Sequence, residues 1–182
     1  MMNEWMNDIE RVLLTEEDLK NKIAQLGEQI SKDYQGEELL LLGILKGSVI
    51  FMSDLARSIS IPVSMDFMAV SSYGDGTESS GVVRILKDLD QEIKGKNILI
   101  VEDIIDSGLT LDYLMGYFKA RGPKSVEICT IMDKSDRRTV EVPIKYLGFD
   151  VPNEFLVGYG LDYAEKYRNL PFVGILKEEV YK

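Results

Sequence analysis

The chain predicts an α/β fold with a mainly parallel central sheet flanked by helices, on three observations. Short apolar runs alternate with stretches of helical periodicity; the runs read as buried strands; and one of them passes through acids and a Ser/Gly/Thr turn straight into a helix pattern. Strands and helices in alternation build parallel sheets through crossover connections.

The elements follow in order. Thr15-Glu16-Glu17-Asp18 reads as a helix N-cap with acids in the first turn, and Leu19, Ile23, Leu26 and Ile30 then recur at helical spacing. Leu39 to Leu45 is a buried strand, Lys46-Gly47-Ser48 a turn, and Val49 to Ser58 a helix carrying Phe51, Met52 and Leu55. Pro62 restarts an extended segment from Val63 to Val70, and Ser71 to Gly81 is small and polar, a lid or hairpin tip rather than a domain boundary. Val82 to Leu89 and Asn97 to Glu102 are extended. Leu111, Leu114, Met115 and Phe118 form one helical stripe that Gly122-Pro123 stops. Ser125 to Met132 is a further apolar strand, and Ile144–Phe149, Phe155–Val157 and Phe172–Leu176 are short strands near the end. No repeat or linker divides residues 1–182, which read as one domain.

Composition narrows the chemistry. The chain has 182 residues, is 45% hydrophobic and 29% charged, and carries a formal net charge of −10. That balance argues against a broad nucleic-acid face, which needs many Lys and Arg contacts to phosphate. A small anionic substrate stays open, because local N–H groups and a divalent cation override the global field. The single cysteine, Cys129, sits in an apolar run, which suits a buried thiol and a reducing, cytoplasmic setting. No signal peptide is legible, and no apolar run is long enough to span a bilayer. Histidine is absent, so any general acid or base is Asp, Glu, Lys, Tyr or Cys, and any metal is a hard, oxygen-ligated ion, with Mg²⁺ leading.

The most informative stretch is Ile98-Leu99-Ile100-Val101-Glu102-Asp103-Ile104-Ile105-Asp106-Ser107-Gly108-Leu109-Thr110. It puts carboxylates at a strand's C-terminal tip and hydroxyls at a helix N-terminus. Open parallel sheets bind ligands at that edge, and a helix N-terminus receives phosphate through free N–H groups and its dipole. The combination points to a phosphorylated sugar whose hydroxyls meet the acids. A nucleotide hydrolase strand also ends in acids, but it requires a GxxxxGK[ST] loop, which the chain lacks. Taken alone, Asp106 to Thr110 equally fits a well-capped loop, Lys46 and Lys134 fit surface charge, and Phe155 fits a core aromatic.

The thirteen residues resemble the phosphoribosyl-diphosphate-binding signature of type I phosphoribosyltransferases: four apolar residues, two acids, then a D-x-G-x-T loop. From about Ile9 to Leu176 the chain resembles one branch, the hypoxanthine-guanine phosphoribosyltransferases. Leu109 stands where some members carry lysine. The resemblance implies the type I fold with a small hood and a mobile lid, the latter opened by Ser72-Tyr73. It implies a pyrophosphate loop at Leu45-Lys46-Gly47-Ser48, often with a cis peptide between Leu45 and Lys46, and a late pyrophosphate contact from Arg168. It further implies a 5′-phosphate loop formed by Asp106, Ser107, Gly108, Leu109 and Thr110, with Glu102 and Asp103 on the ribose hydroxyls. Lys134, Phe155, Leu156 and Asp162 match the purine pocket, and Glu102, Asp103 and Asp162 the residues around Mg²⁺. Asp106 is the implied catalytic base.

The implied activity is transfer from phosphoribosyl diphosphate to a 6-oxopurine in purine salvage, by a homodimer or homotetramer, with no nucleic-acid or membrane partner. A regulator that keeps the sugar-phosphate loop but binds RNA is the competing class, and the acidic composition counts against it. Hypoxanthine, guanine and xanthine differ only at C2, and the sequence does not rank them.

Overall fold

The computed structural model describes residues 5–72 and 83–182. A first strand, β1 (Ile9–Leu14), leads into helix α1 (Glu16–Asp33), strand β2 (Leu39–Leu45), helix α2 (Val49–Ser58) and strands β3 (Val63–Ser72) and β4 (Val83–Lys87). Strand β5 (Asn97–Ile105), helix α3 (Leu109–Lys119) and strands β6 (Ser125–Asp133) and β7 (Ile144–Asp150) follow. The chain closes with β8 (Leu156–Val157), β9 (Val173–Leu176) and the short helix α4 (Glu178–Tyr181).

Six strands form the main sheet in the order β4-β3-β2-β5-β6-β7. All neighbours are parallel except β3 and β4. The order reverses between β2 and β5: from β2 the chain winds outward through α2 to β3, and from β5 outward through α3 to β6. That switch point opens a crevice at the carboxyl ends of the two central strands, where such sheets take ligands.

Period-two alternation builds the core on both faces. Leu39 and Leu41 of β2 and Leu99 and Val101 of β5 pack with Leu19, Ile23, Leu26 and Ile30 of α1 and with Phe51, Met52 and Leu55 of α2. Leu40 and Leu42 of β2 and Ile98 and Ile100 of β5 pack on the opposite face with Leu111, Leu114 and Phe118 of α3. Helix α1 begins with a reciprocal capping box: the Thr15 side chain accepts from the Asp18 N–H at 3.1 Å and the Asp18 carboxylate accepts from the Thr15 N–H at 2.9 Å.

Strands β1, β9 and β8 form a separate three-stranded antiparallel sheet, the hood expected from the resemblance. Strand β1 is an element the sequence reading missed. Its exposed centre carries no apolar alternation, and what defines it is pairing with β9 at the far end of the chain. Helix α4 is one turn, too short for periodicity to register.

Candidate active site

Strand β5 runs further than its apolar stretch suggests. Pairing with β6 continues through Glu102–Thr130, Ile104–Met132 and Ile105–Asp133. Glu102 and Asp103 therefore sit within the strand's last turns of pleat rather than after it, and the ladder fixes where both carboxylates point. Next, Gly108 adopts φ +87° and opens α3 with no side-chain cap, so Leu109 and Thr110 form the first helical turn. Ser107 Oγ accepts from the Leu109 N–H at 3.4 Å.

Asp103 packs against the turn after β2. A Cβ added at Gly47 would lie 1.6 Å from Asp103 Oδ2, and one added at Gly160 would lie 2.0 Å from the Gly47 carbonyl oxygen. Glycine at both positions lets the β2–α2 turn sit between the tip of β5 and the hood. The peptide bond between Leu45 and Lys46 is cis, as the resemblance implies.

Burial raises the proton affinity of both acids. Desolvation, then the neighbouring Asp103 charge, pushes the Glu102 carboxyl well above the usual range. Desolvation takes Asp103 up to about 6, opposed by the N–H of Ile104, its own N–H and the Arg168 charge. Glu102 Oε2 is buried without a hydrogen-bond partner. Such an orphaned oxygen beside a second carboxyl suits either sugar hydroxyls or a cation. Among the described residues no group of three or more acids, cysteines or histidines is close enough to cage a metal. The donor set fits a magnesium ion that shares one or two carboxylates with substrate oxygens, its usual habit.

A cavity of about 250 Å³ gathers the expected residues: Asp103, Asp106, Lys134, Phe155, Leu156, Asp162 and Arg168 all line it. Lys134 is buried, its Nζ donates to the Glu154 carbonyl at 2.8 Å, and desolvation lowers its pKa. Phe155 is braced from behind: its ring stacks on Tyr181 at 4.6 Å and meets the edge of Tyr163 at 5.5 Å. Strand β8 is the hood's edge, and Phe155 O accepts from Leu176 N of β9 at 2.8 Å. By alternation, the Leu156 N–H and C=O face the open side. Arg168 donates to the Gly160 carbonyl at 2.8 Å and pairs with Asp162 at 2.8 Å. Lys46 stands apart from this cavity and bonds Glu165 at 3.0 Å, which holds the Glu165 carboxyl below its usual range.

Several supporting residues carry no sequence signal. Arg137 Nε lies 3.1 Å from Asp106 Oδ1. Arg138 is ion-paired with Asp133, and its Nε donates to the Asp106 carbonyl at 3.3 Å. The Ser107 carbonyl accepts from the Thr139 and Val140 N–H groups at 2.9 and 3.1 Å. The segment after Lys134 thus clamps the phosphate-type loop from across the sheet edge. Those arginines read only as surface charge in the sequence, since nothing local reports a contact made across about 30 residues. Ser72 ends β3; Tyr73 and the rest of the expected lid lie outside the described residues. A larger cavity of about 480 Å³, between α1, α2 and the hood, shares only Arg168 with these residues. No described helix is long and apolar enough to cross a membrane.

Sheet, crevice and acid-tipped strand define a class, and comparison with known proteins agrees: residues 13–164 match the phosphoribosyl transferase domain, and the chain belongs to that family. A hypoxanthine-guanine phosphoribosyltransferase of Mycobacterium bovis is 54% identical, over 98% of this chain and 91% of its own length. Its counterpart from Streptococcus thermophilus is 53% identical over 96% and 97%. A crystal structure of a hypoxanthine phosphoribosyltransferase from Staphylococcus aureus superposes with a TM-score of 0.96 at 52% identity, covering 100% of both chains. Within the family the chain groups with the hypoxanthine-guanine phosphoribosyltransferases, and it is an enzyme of phosphoribosyl transfer.

Proposed function

We propose that the chain serves purine salvage by transferring the 5-phosphoribosyl group of phosphoribosyl diphosphate to N9 of hypoxanthine or guanine, giving IMP or GMP and pyrophosphate. The observation that carries this reading is the one cavity in which a carboxylate (Asp106), a buried ammonium (Lys134) and a braced aromatic face (Phe155) meet beside an uncapped helix start. Relatives named for this activity over nearly the whole chain support it.

The Ser107–Thr110 turn binds the 5′-phosphate through backbone N–H groups and the two hydroxyls. Glu102 and Asp103 take the ribose 2′- and 3′-hydroxyls. Their raised proton affinity means that the folded chain alone holds them poorly as anions, so hydrogen-bond donors or a cation restore what burial removed. Glu102, Asp103 and Asp162 are the residues that would hold Mg²⁺, which supplies charge neutralisation at the leaving pyrophosphate. Lys46, the Gly47 backbone and Arg168 hold that pyrophosphate.

Cleavage at C1′ runs ahead of attack, giving the sugar oxocarbenium character as in glycoside chemistry. Asp106 accepts the purine N7 proton as N9 attacks; with no histidine in the chain, a carboxylate is the base available. Lys134 donates to O6. A 6-amino group presents donors there and leaves the buried ammonium poorly paired, which selects oxopurines over adenine. Phe155 stacks on the ring, and the Leu156 backbone at the hood's open edge meets its Watson–Crick side. We further read residues 1–182 as one domain that works in the cytoplasm as a homodimer or homotetramer.

The test is pyrophosphate release by purified protein with phosphoribosyl diphosphate, Mg²⁺ and each of hypoxanthine, guanine, xanthine and adenine. Release with hypoxanthine and guanine is expected, with adenine near background. No release with any 6-oxopurine overturns the reading.

A further inference from the structure

Resting on the phosphoribosyl-transfer reading above, we propose that Glu165 is an internal stand-in for pyrophosphate: its carboxylate lies on the cations of the leaving-group cradle, yields them to the incoming diphosphate and reclaims them as the product departs. Glu165 Oε1 is 3.0 Å from Lys46 Nζ and 3.7 Å from Arg168 Nη2. Arg168 is a near neighbour in sequence, but Lys46 lies 119 positions away, so only the folded chain brings the acid to both.

The turn that presents Glu165 is built, not incidental. Ala164, Glu165 and Tyr167 have φ of +50°, +62° and +77°, a left-handed backbone that side chains with a Cβ avoid. Paired bonds between Tyr163 and Lys166, at 3.2 and 3.0 Å, close the turn. A bond from the Glu165 N–H to Asp162 Oδ2, at 2.9 Å, fixes it to the cavity wall. The backbone at Glu165 is therefore held while its side chain swings.

Charge explains why the acid is there. Arg168 already has Asp162 at 2.8 Å, whereas among the described residues Lys46 has no other acid than Glu165. Without a resident anion, Lys46 and Arg168 would face one carboxylate with two positive charges. Exposure explains why the acid yields: both side chains of the Lys46–Glu165 pair are 67% exposed, and an exposed pair is weak. A multiply charged diphosphate displaces one carboxylate readily, and the tethered carboxylate is at hand to compete when the diphosphate loosens. The effect is a modest lowering of pyrophosphate affinity, in a class of step, product release, that often limits turnover.

The experiment is a double-mutant cycle on inorganic pyrophosphate binding, by titration calorimetry and by product inhibition, with Mg²⁺ present. Glu165→Gln should bind pyrophosphate roughly two- to fivefold more tightly, the range expected on freeing a cation from an exposed pair. In a Lys46→Ala background the same substitution should give a clearly smaller gain, since only the longer Arg168 contact is left to free. Glu165→Ala serves as the second variant, with the same expected direction, and thermal melts confirm that each protein is folded. Unchanged or weaker binding in both folded variants overturns the stand-in, as does a gain that is undiminished without Lys46. Should wild-type protein release no pyrophosphate with any oxopurine, the parent reading falls instead. The two failures are thus separable.

Discussion

Asp106 and Lys134 face the same cavity with opposite assignments, and each predicts its own kinetic signature. Asp106→Asn keeps the shape and removes the proton acceptor, so kcat should fall by roughly 10²–10⁴-fold while phosphoribosyl diphosphate still binds; single-turnover kinetics with a direct binding measurement checks both halves. An unchanged kcat removes Asp106 from that role. Lys134→Ala should raise KM for hypoxanthine and guanine far more than KM for the sugar diphosphate if its ammonium meets the base as proposed; equal losses would misplace the base pocket. Arg137 and Arg138 show where residue-level reading of a sequence stops. Lys134 was legible because its position after a strand matches a known pattern, but the arginines act through Asp106, a residue brought beside them only by the parallel pairing of β5 and β6.

At the scale of elements, the sheet was legible because β2 is apolar along its length, β5 is apolar from Ile98 to Val101, and helices α1 and α3 each carry one apolar stripe. The hood was legible only through family resemblance. Its strand β1 spans the whole chain to reach β9, and no local pattern encodes a partner that distant. The contact between elements that matters most for the site was equally silent: Gly47 reads as a flexible turn residue, yet it is the place where the β2–α2 turn, the β5 tip and the hood touch. Gly47→Ala puts a methyl group 1.6 Å from Asp103 Oδ2, so the carboxylate must turn away from the crevice. The variant should stay folded, with a circular dichroism spectrum like the wild type, and lose at least about tenfold in affinity for phosphoribosyl diphosphate, the order of one charged hydrogen bond. Wild-type affinity would show that Asp103 does not face the sugar.

For the molecule as a whole, the acids at the switch point set function against stability. Asp103 titrates near 6 in the folded chain and near its ordinary 3.8 when unfolded. Between those values the folded state holds the extra proton, so this residue's contribution to stability falls as pH rises from about 4 to 6 and stays low above that. Asp103→Asn removes the penalty. Its melting temperature, without ligands, should exceed that of the wild type at pH 7 to 8, and the gap should close toward pH 4. A gap that does not change with pH would mean that Asp103 is not the source. Substrate hydroxyls or Mg²⁺ at these acids repay the same cost, so phosphoribosyl diphosphate with Mg²⁺ should raise the wild-type melting temperature more at pH 8 than at pH 5.

Cys129 lies fully buried on β6, between β5 and β7, where desolvation pushes its thiol far above the ordinary range. As the chain's sole sulfhydryl, it is a built-in gauge of breathing at the centre of the sheet: an aromatic disulfide reagent can colour the solution only as fast as the strands part. The same seal should leave the native enzyme indifferent to mild oxidants that silence proteins with surface thiols.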